Sequence, residues 1–236
     1  MNKKNELINF IESVLTSERL DTINRVIENR TTYLTVAIEN VYQPHNASAV
    51  LRSCECFGIQ NVHIIENSNE YNVNPEISLG SSKWLNLIKH SSAKNNTLST
   101  INKLKAEGYR IVATTPHAND VTLDKYDLHK GKTALLFGTE QEGLSDLALA
   151  NADEFLKIPM FGFTESLNIS VSAAIILNRL TTKLHNSGID YKLNNEERFN
   201  VKLDWLKRTL NKPEIIISEF CKKNDLDPQP FIQDLL

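Results

Sequence analysis

The chain has 236 residues, and its 41% hydrophobic and 23% charged content is ordinary for a soluble globular protein. This length accommodates one substantial α/β domain with appended helices, or at most two small domains. No run approaches the ~18 consecutive apolar residues of a membrane span, and the start, MNKKNELINF, lacks the apolar core of a signal peptide. We therefore expect a cytoplasmic protein with no membrane contact. The net charge of -3 disfavours general coating of nucleic acid but allows a local RNA site.

The first 31 residues predict a helical extension. Apolar residues recur at helical spacing with a break at Thr16 or Ser17, so we expect two short amphipathic helices. The plainer interpretation of the arginines here is a solvated face balanced by glutamates. If the protein binds RNA, we expect a local basic cluster made of Arg19, Arg25, Arg30, Lys207 and Arg208.

Six short runs rich in Val, Ile and Leu follow, with helical patterns between several of them. The runs cover residues 32–40, 61–67, 84–90, 109–115, 133–138 and 155–159, and the helical patterns cover 46–58, 95–108 and 144–152. Alternating strands and helices indicate an α/β fold: a mostly parallel sheet with helices on both faces. We assign residues 32–187 to this domain and residues 188–236, with two more helical patterns, to a C-terminal helical tail.

The three cysteines, Cys54, Cys56 and Cys221, have no spacing typical of metal ligands. Their odd number and the absence of a nearby histidine cluster predict free, reduced thiols and no metal.

The glycines indicate where a ligand would bind. The loop after the first strand, AIENVYQPHNASAV, contains none, so the G-x-G-x-x-G fingerprint is missing and a nicotinamide oxidoreductase is disfavoured. Four of the eight glycines instead lie between residues 131 and 162. Because glycine permits close approach of a ligand or another backbone segment, we expect any cofactor at the carboxyl ends of the later strands.

Two polar residues stand out in NASAVLR. Asn46 is predicted to be a helix N-cap, and Arg52 follows six residues later beside core-like neighbours. Arg52 either forms a salt bridge or binds a phosphate or carboxylate with both guanidinium nitrogens.

Two later stretches carry further polar candidates. In FGTEQEGLS, Glu140 directly follows the carboxyl end of a strand, where open α/β sheets place functional groups, and a helix is predicted to begin at Ser145. In KIPMFGFTESLNISVSAA, Ser166 or Asn168 could cap the helix that follows. That helix begins with small residues, which allow close backbone approach.

Taken in this order, the stretches NASAVLR, FGTEQEGLS and KIPMFGFTESLNISVSAA resemble the three motifs of the SpoU family of RNA 2′-O-ribose methyltransferases. The match spans residues 33 to about 185. The resemblance implies the SPOUT α/β fold with a C-terminal trefoil knot, homodimers with the active site at the subunit interface, and S-adenosylmethionine as cofactor. The cofactor would contact main-chain groups of the knot loops, at Thr114, Phe137, Gly138, Ile158, Met160 and Leu167.

Within this family, the chain looks most like the group that methylates guanosine 18 in the D-loop of tRNA. The short segment before the first motif is too small for a separate substrate-binding domain. The motif residues carried over as catalytic are Arg52, Asn46, Glu140, Ser166 and Asn168. Arg52 would orient the 2′-hydroxyl and stabilise the developing oxyanion, or act together with the substrate phosphate as proton acceptor. The other four would shape the pocket and hold Arg52.

Two alternatives remain open at this stage. The first is a family member that acts on another tRNA position, such as the anticodon loop, or on ribosomal RNA. The second is a non-catalytic RNA-binding or assembly module that has kept the fold. The role of Glu142 is also open.

Overall fold

The computed structural model describes residues 2–41, 43–68, 80–93, 95–116 and 121–232. They form two compact units: residues 31–192 make up one, and the described residues before and after this range make up the other. The sequence predicted the N-terminal extension and the C-terminal tail as separate segments, whereas the structure joins them. No described helix is both long enough and apolar enough to cross a lipid bilayer.

The larger unit contains a sheet that has seven strands among the described residues. Their order is β3-β2-β1-β6-β4-β7-β5, and all the pairings between them are parallel. The strands are β1 (Leu34–Glu39), β2 (Asn61–Ile65), β3 (Asn86–His90), β4 (Arg110–Thr114), β5 (Val121–Thr122), β6 (Thr133–Phe137) and β7 (Glu154–Lys157). The six predicted strands are therefore confirmed. The two-residue β5 was missed because so short a segment has no periodicity.

Helices cover both faces of this sheet, as predicted. They are α3 (Pro44–Cys56), α4 (Asn96–Ala106), α5 (Asp146–Ala150) and α6 (Ile169–His185). Val36 and Ile38 pack on one face in a core cluster shared with α3 and α6. Ala37, between them, packs on the other face with residues of α4 and α5. Both faces of β1 are buried, which accounts for its continuous apolar run.

The start of α3 corrects one prediction. Asn46 is not the N-cap: that position is Gln43, and Pro44 occupies the first turn. Proline favours the first helical position because its missing N–H would have no intrahelical partner there. Asn46 therefore lies inside the first turn, with its side chain free to bond elsewhere. The predicted helix start at Ser145 is confirmed, and of the two candidate caps Ser166 and Asn168 the structure shows Asn168. Each of Ser145 and Asn168 accepts a backbone N–H of its helix.

The smaller unit is helical. It contains α1 (Asn2–Val14), α2 (Ser17–Ile27), α7 (Asn195–Thr209), α8 (Pro213–Lys223) and α9 (Gln229–Ile232). Thr16 caps α2, so the predicted break is confirmed. The phenyl rings of Phe10 and Phe220 lie 5.4 Å apart, linking α1 to α8.

Burial in this helical unit removes two residues from the expected basic cluster. Arg30 and Lys207 are buried, and the Arg30 guanidinium lies 5.0 Å from the centre of the Trp205 ring. Neither can therefore contribute to an exposed RNA-binding surface. Arg19, Arg25 and Arg208 are exposed.

A pair of histidines lies on the α4 side of the sheet. His63 is buried on β2, and its Nδ1 lies 3.0 Å from Nε2 of His90 on β3. Burial, with smaller effects of His90 and Lys103, lowers the pKa of His63 to about 4. A histidine in an unfolded chain has a pKa of about 6.5. Between about pH 6.5 and 4, His63 is therefore protonated in the unfolded chain and neutral in the folded one. This contribution to stability is present above pH ~7 and is lost as the pH falls from about 6.5 towards 4.

We expect His63 alone to lower the free energy of unfolding by about 2 kcal/mol between pH 7.5 and pH 5. His63→Gln should remove that part of the pH dependence, measured by urea unfolding at the two pH values. His129→Gln, which changes an exposed histidine, should keep it. The same pH dependence in the wild type and His63→Gln would contradict this assignment.

Candidate active site

The loop after β6 folds back tightly on itself. We call residues 138–145 the Glu140 loop. The Thr139 and Gly143 backbones exchange two hydrogen bonds, of 2.9 and 3.0 Å. A Cβ added to Gly138 would lie 2.1 Å from the backbone carbonyl carbon of Gly143. Gly143 itself has φ +72, which L side chains rarely adopt. The loop therefore requires glycine at both ends of this contact.

A cavity of about 340 Å³ opens beside this loop, at the carboxyl ends of β4, β6 and β7. All six residues predicted to contact the cofactor line it: Thr114, Phe137, Gly138, Ile158, Met160 and Leu167. Two of the predicted catalytic residues, Glu140 and Ser166, line it as well. Motifs that are far apart in the chain thus meet around one space, in the place that open α/β sheets favour for ligands.

The cavity fits S-adenosylmethionine in size and chemistry. Its volume lies within the range of about 300–1,000 Å³ typical of small-molecule sites. Apolar side chains suited to an adenine ring line it, namely Leu144, Leu149, Ile158, Met160 and Ile176. Gly138 leaves its backbone open to close approach, and Glu140 and Glu165 supply negative charge for a cationic ligand.

A compact group of polar side chains stands at one wall of the cavity. Asn46 Nδ2 donates to one carboxylate oxygen of Glu140 at 2.6 Å, and Asn168 Nδ2 donates to the other. Asn168 Nδ2 also contacts Asn46 Oδ1 at 3.2 Å. We call Asn46, Glu140 and Asn168 the amide–carboxylate cluster. It joins α3, the Glu140 loop and the start of α6, so one carboxylate holds three parts of the chain together.

A second cavity, of about 310 Å³, adjoins the first and is lined by Asn46 and Glu140 of this cluster. The polar residues that line it include Asn40, Gln43, Asn46, Gln141 and Glu142. Five residues line both cavities: Thr139, Glu140, Gln141, Glu142 and Ile169. The cluster therefore borders both cavities, the first through Glu140 and the second through Glu140 and Asn46.

The five predicted catalytic residues do not all meet. Asn46, Glu140 and Asn168 are hydrogen-bonded together, and Ser166 lines the first cavity. Arg52, farther along α3, is exposed and makes no hydrogen bond or ion pair with any residue that the structure describes. Within one chain, the four other residues thus do not hold Arg52.

Sequence reasoning missed two contributors to this region. The Gln43 side-chain oxygen accepts from Asn46 Nδ2 at 2.9 Å, which turns Asn46 towards Glu140. Glu39, the last residue of β1, accepts from the backbone N–H and the hydroxyl of Ser145 at 2.9 and 2.7 Å. A glutamate ending an otherwise apolar strand was the one signal available for Glu39.

Comparison with known proteins agrees with this geometry. The SpoU rRNA Methylase family model matches residues 33–178. A tRNA (guanosine(18)-2′-O)-methyltransferase of Borreliella burgdorferi is 40% identical over 209 residues, which are 89% of this chain and 94% of that protein. The A. aeolicus TrmH/SpoU tRNA modifying enzyme is similar in structure, with a TM-score of 0.72 and 29% identity over 83% of this chain and 98% of that one.

A more distant structure shares the fold. The SpoU methyltransferase AviRb from Streptomyces viridochromogenes, solved in complex with the cofactor AdoMet, has a TM-score of 0.56 at 22% identity. The match covers 69% of this chain and 62% of that one.

We expect Gly138→Ala to weaken S-adenosylmethionine binding by at least about tenfold, because the new methyl group would displace the Glu140 loop. Isothermal titration calorimetry would measure this. Gly162→Ala is the matched control: no atom lies within 4 Å of its added Cβ, and its φ is not in the left-handed region. Equal affinities in the two variants would show that the loop contact does not shape the cavity.

Proposed function

The chain belongs to the SpoU methylase family, and we propose that it methylates the 2′-hydroxyl of guanosine 18 in the D-loop of tRNA, using S-adenosylmethionine. The observation that carries this proposal is the meeting of the second and third motifs around the first cavity, with Asn46 of the first motif bonded to Glu140 and lining the adjoining second cavity. The curated relative from Borreliella burgdorferi, which has this activity by name, aligns along 89% of the chain. This near-complete match favours guanosine 18 over other family substrates.

We assign the first cavity to the cofactor and the second to the acceptor ribose. The bound cofactor would supply a methyl group on a sulfonium centre that a hydroxyl can attack in line. The residues of the chain contribute by positioning the reactants, which can lower the activation free energy by roughly 7–11 kcal/mol in ideal cases. The amide–carboxylate cluster fixes Glu140 where the two cavities adjoin, and Ser166 contributes polar surface on the cofactor side.

Arg52 is the residue we propose to act on the substrate. A guanidinium stays protonated at all physiological pH values, so it is not a proton acceptor. It instead donates hydrogen bonds to the 2′-hydroxyl and the neighbouring phosphate, orienting the nucleophile and stabilising its negative charge. Its exposure in the single chain leaves it available to RNA.

We further propose that the protein is a homodimer whose interface includes α6. An exposed apolar strip runs along the segment before this helix and its first turns: Phe161, Phe163, Leu167, Val171 and Ile175. Phe161 and Phe163 are fully exposed, and Val171 and Ile175 lie four residues apart on one side of α6. Apolar side chains grouped in this way favour a protein–protein interface. A second copy would thereby reach the edge of the cofactor cavity, which Leu167 lines.

We also propose the trefoil knot that is typical of this family. Two features of the sheet support it. β6 lies between β1 and β4, and β7 lies between β4 and β5, so later strands are inserted between earlier ones. The backbone contact at Gly138 provides the close approach that threading requires. Tracing the chain in an experimental structure would test the knot.

The function is tested by methyl transfer to tRNA transcripts. The purified protein should methylate a transcript with guanosine 18 and not one with 2′-deoxyguanosine 18, and mapping should place the methyl group on that ribose. Arg52→Ala should abolish transfer while S-adenosylmethionine affinity stays near the wild-type value. Lys105→Ala, which removes a cation from an exposed ion pair and lines neither cavity, should transfer normally.

Other outcomes identify the alternatives. Methylation of another tRNA ribose, or of ribosomal RNA alone, would replace guanosine 18 as the target. Absence of S-adenosylmethionine binding would indicate a non-catalytic RNA-binding module. Normal turnover by Arg52→Ala would exclude the role given to Arg52.

The dimer gives a separate expectation. Ile175→Asp should convert the protein to a 26.7 kDa monomer by light scattering, because burying a carboxylate in an apolar interface is unfavourable. Ile215→Asp makes the same change at an exposed position of α8 and should leave the mass at twice that value. A wild-type protein that is itself monomeric would end the dimer proposal.

A further inference from the structure

A second carboxylate lies behind the proposed site. Glu39 ends β1 and is 2% exposed. One oxygen accepts from the Ser145 backbone N–H at 2.9 Å, and the other accepts from the Ser145 and Thr97 hydroxyls at 2.7 and 2.5 Å. It forms no ion pair with a described residue. Burying a carboxylate without a cation is unfavourable unless hydrogen bonds replace its hydration, and these three donors do so.

The segment that follows Glu39 in the chain lines part of the second cavity. Asn40 and Val41 directly follow Glu39 and line that cavity. Asn40 adopts φ 53, its N–H donates to the Ile65 carbonyl at 2.8 Å, and its side-chain oxygen accepts from the Ser68 N–H at 2.9 Å. The chain therefore turns sharply away from β1 in a fixed direction, towards Gln43 and α3.

Ser145 ends the Glu140 loop and caps α5, accepting the Ala148 N–H at 3.2 Å. The Gly138–Gly143 contact closes the part of the loop that contains Glu140, and Glu39 fixes the loop two residues farther on, at Ser145. Movement of Ser145 would carry Glu140 away from its amide partners.

The third donor ties the same carboxylate to the neighbouring strand end. Thr97, in the first turn of α4, donates to Glu39 and accepts from Asn67 Nδ2 at 2.8 Å. This side of the network leads away from both cavities, because neither Thr97 nor Asn67 lines them. Glu39 is therefore bonded to the Glu140 loop at Ser145 and to the first turn of α4 at Thr97.

We infer that Glu39 is a positioning residue for methyl transfer: it holds the Glu140 loop against the turn after β1, so that Glu140 meets Asn46 and Asn168. Glu39 lines neither cavity and acts only through Ser145. The inference deepens the proposed function and rests on it for its catalytic consequence. Its structural part, fixation of the Glu140 loop, stands without any assumption about the substrate.

The test uses the full chain with two isosteric substitutions. In Glu39→Gln, the amide keeps one acceptor oxygen, replaces the other with an NH2 donor and removes the charge, so the link to the Ser145 N–H and hydroxyl is weakened. In Thr97→Val, the carboxylate loses one scaffold donor and keeps both bonds to Ser145. Urea unfolding gives the stability of each variant, so that activities are compared where both are fully folded.

We expect Glu39→Gln to lower kcat for methyl transfer by about tenfold to a hundredfold, since small misplacement of a site can cost that much. Thr97→Val should stay within about threefold of wild type. The double variant Glu39→Gln/Glu140→Gln should be no slower than Glu140→Gln alone. If Glu39 acts only by positioning Glu140, its substitution has no further effect once the Glu140 carboxylate is gone. If Glu39 only stabilised the fold, Glu39→Gln would leave kcat unchanged, or the kcat losses of the two single variants would multiply in the double variant.

Hydrogen exchange provides a readout that needs no RNA. Backbone amides of residues 139–145 should exchange at least about tenfold faster in Glu39→Gln than in wild type or Thr97→Val. If wild type transfers no methyl group to any RNA, the proposed function fails and this measurement alone decides the inference. Unchanged exchange in Glu39→Gln, wild-type kcat, or equal losses of kcat in Glu39→Gln and Thr97→Val would each overturn it.

Discussion

The proposed site depends on a backbone contact that only glycine permits. At Gly138 the chain leaves β6 and returns so closely at Gly143 that a methyl group would overlap the main chain. This contact keeps the Glu140 loop compact and leaves room for a cavity lined by three strand ends. A ligand at the carboxyl ends of parallel strands normally rests on a glycine-rich turn after the first strand. Here the first turn carries amide side chains, and the glycine contact follows β6, five strands later in the chain.

Two carboxylates, Glu140 and Glu39, hold this loop in place through different hydrogen bonds. Glu140 faces the cavities and binds two amides, whereas Glu39 lies behind the loop and binds hydroxyl and backbone donors. Neither forms an ion pair with a described residue. Hydrogen bonds from neutral donors are directional and fix an oxygen in place, whereas a mobile lysine would tolerate movement. Such an arrangement suits a site whose contribution is geometry.

The sequence was sufficient for most of the fold and for little of the site's geometry. Strand and helix patterns are local, so β1 and α6 could be predicted from their own residues. Asn46 was misassigned as a cap, although Pro44 two residues earlier is a better marker of a helix start. The bonds from Asn46 to Glu140 and to Asn168 join residues 94 and 122 positions apart. No local pattern reports such contacts, so only the family resemblance placed these residues together.

The hydrogen bonds of the cluster also limit which group can take the proton of the ribose hydroxyl. Both oxygens of Glu140 accept hydrogen bonds from amides, so protonation of either oxygen would weaken a bond that holds the Glu140 loop. Glu140 is therefore better suited to building the wall than to accepting a proton. Arg52 cannot accept one either. The proton must then leave through a group that arrives with the RNA or from solvent, and a phosphate held by Arg52 beside the reacting ribose meets that requirement. Arg52 bonds to no described residue of its own chain, which agrees with the proposal that it binds the substrate.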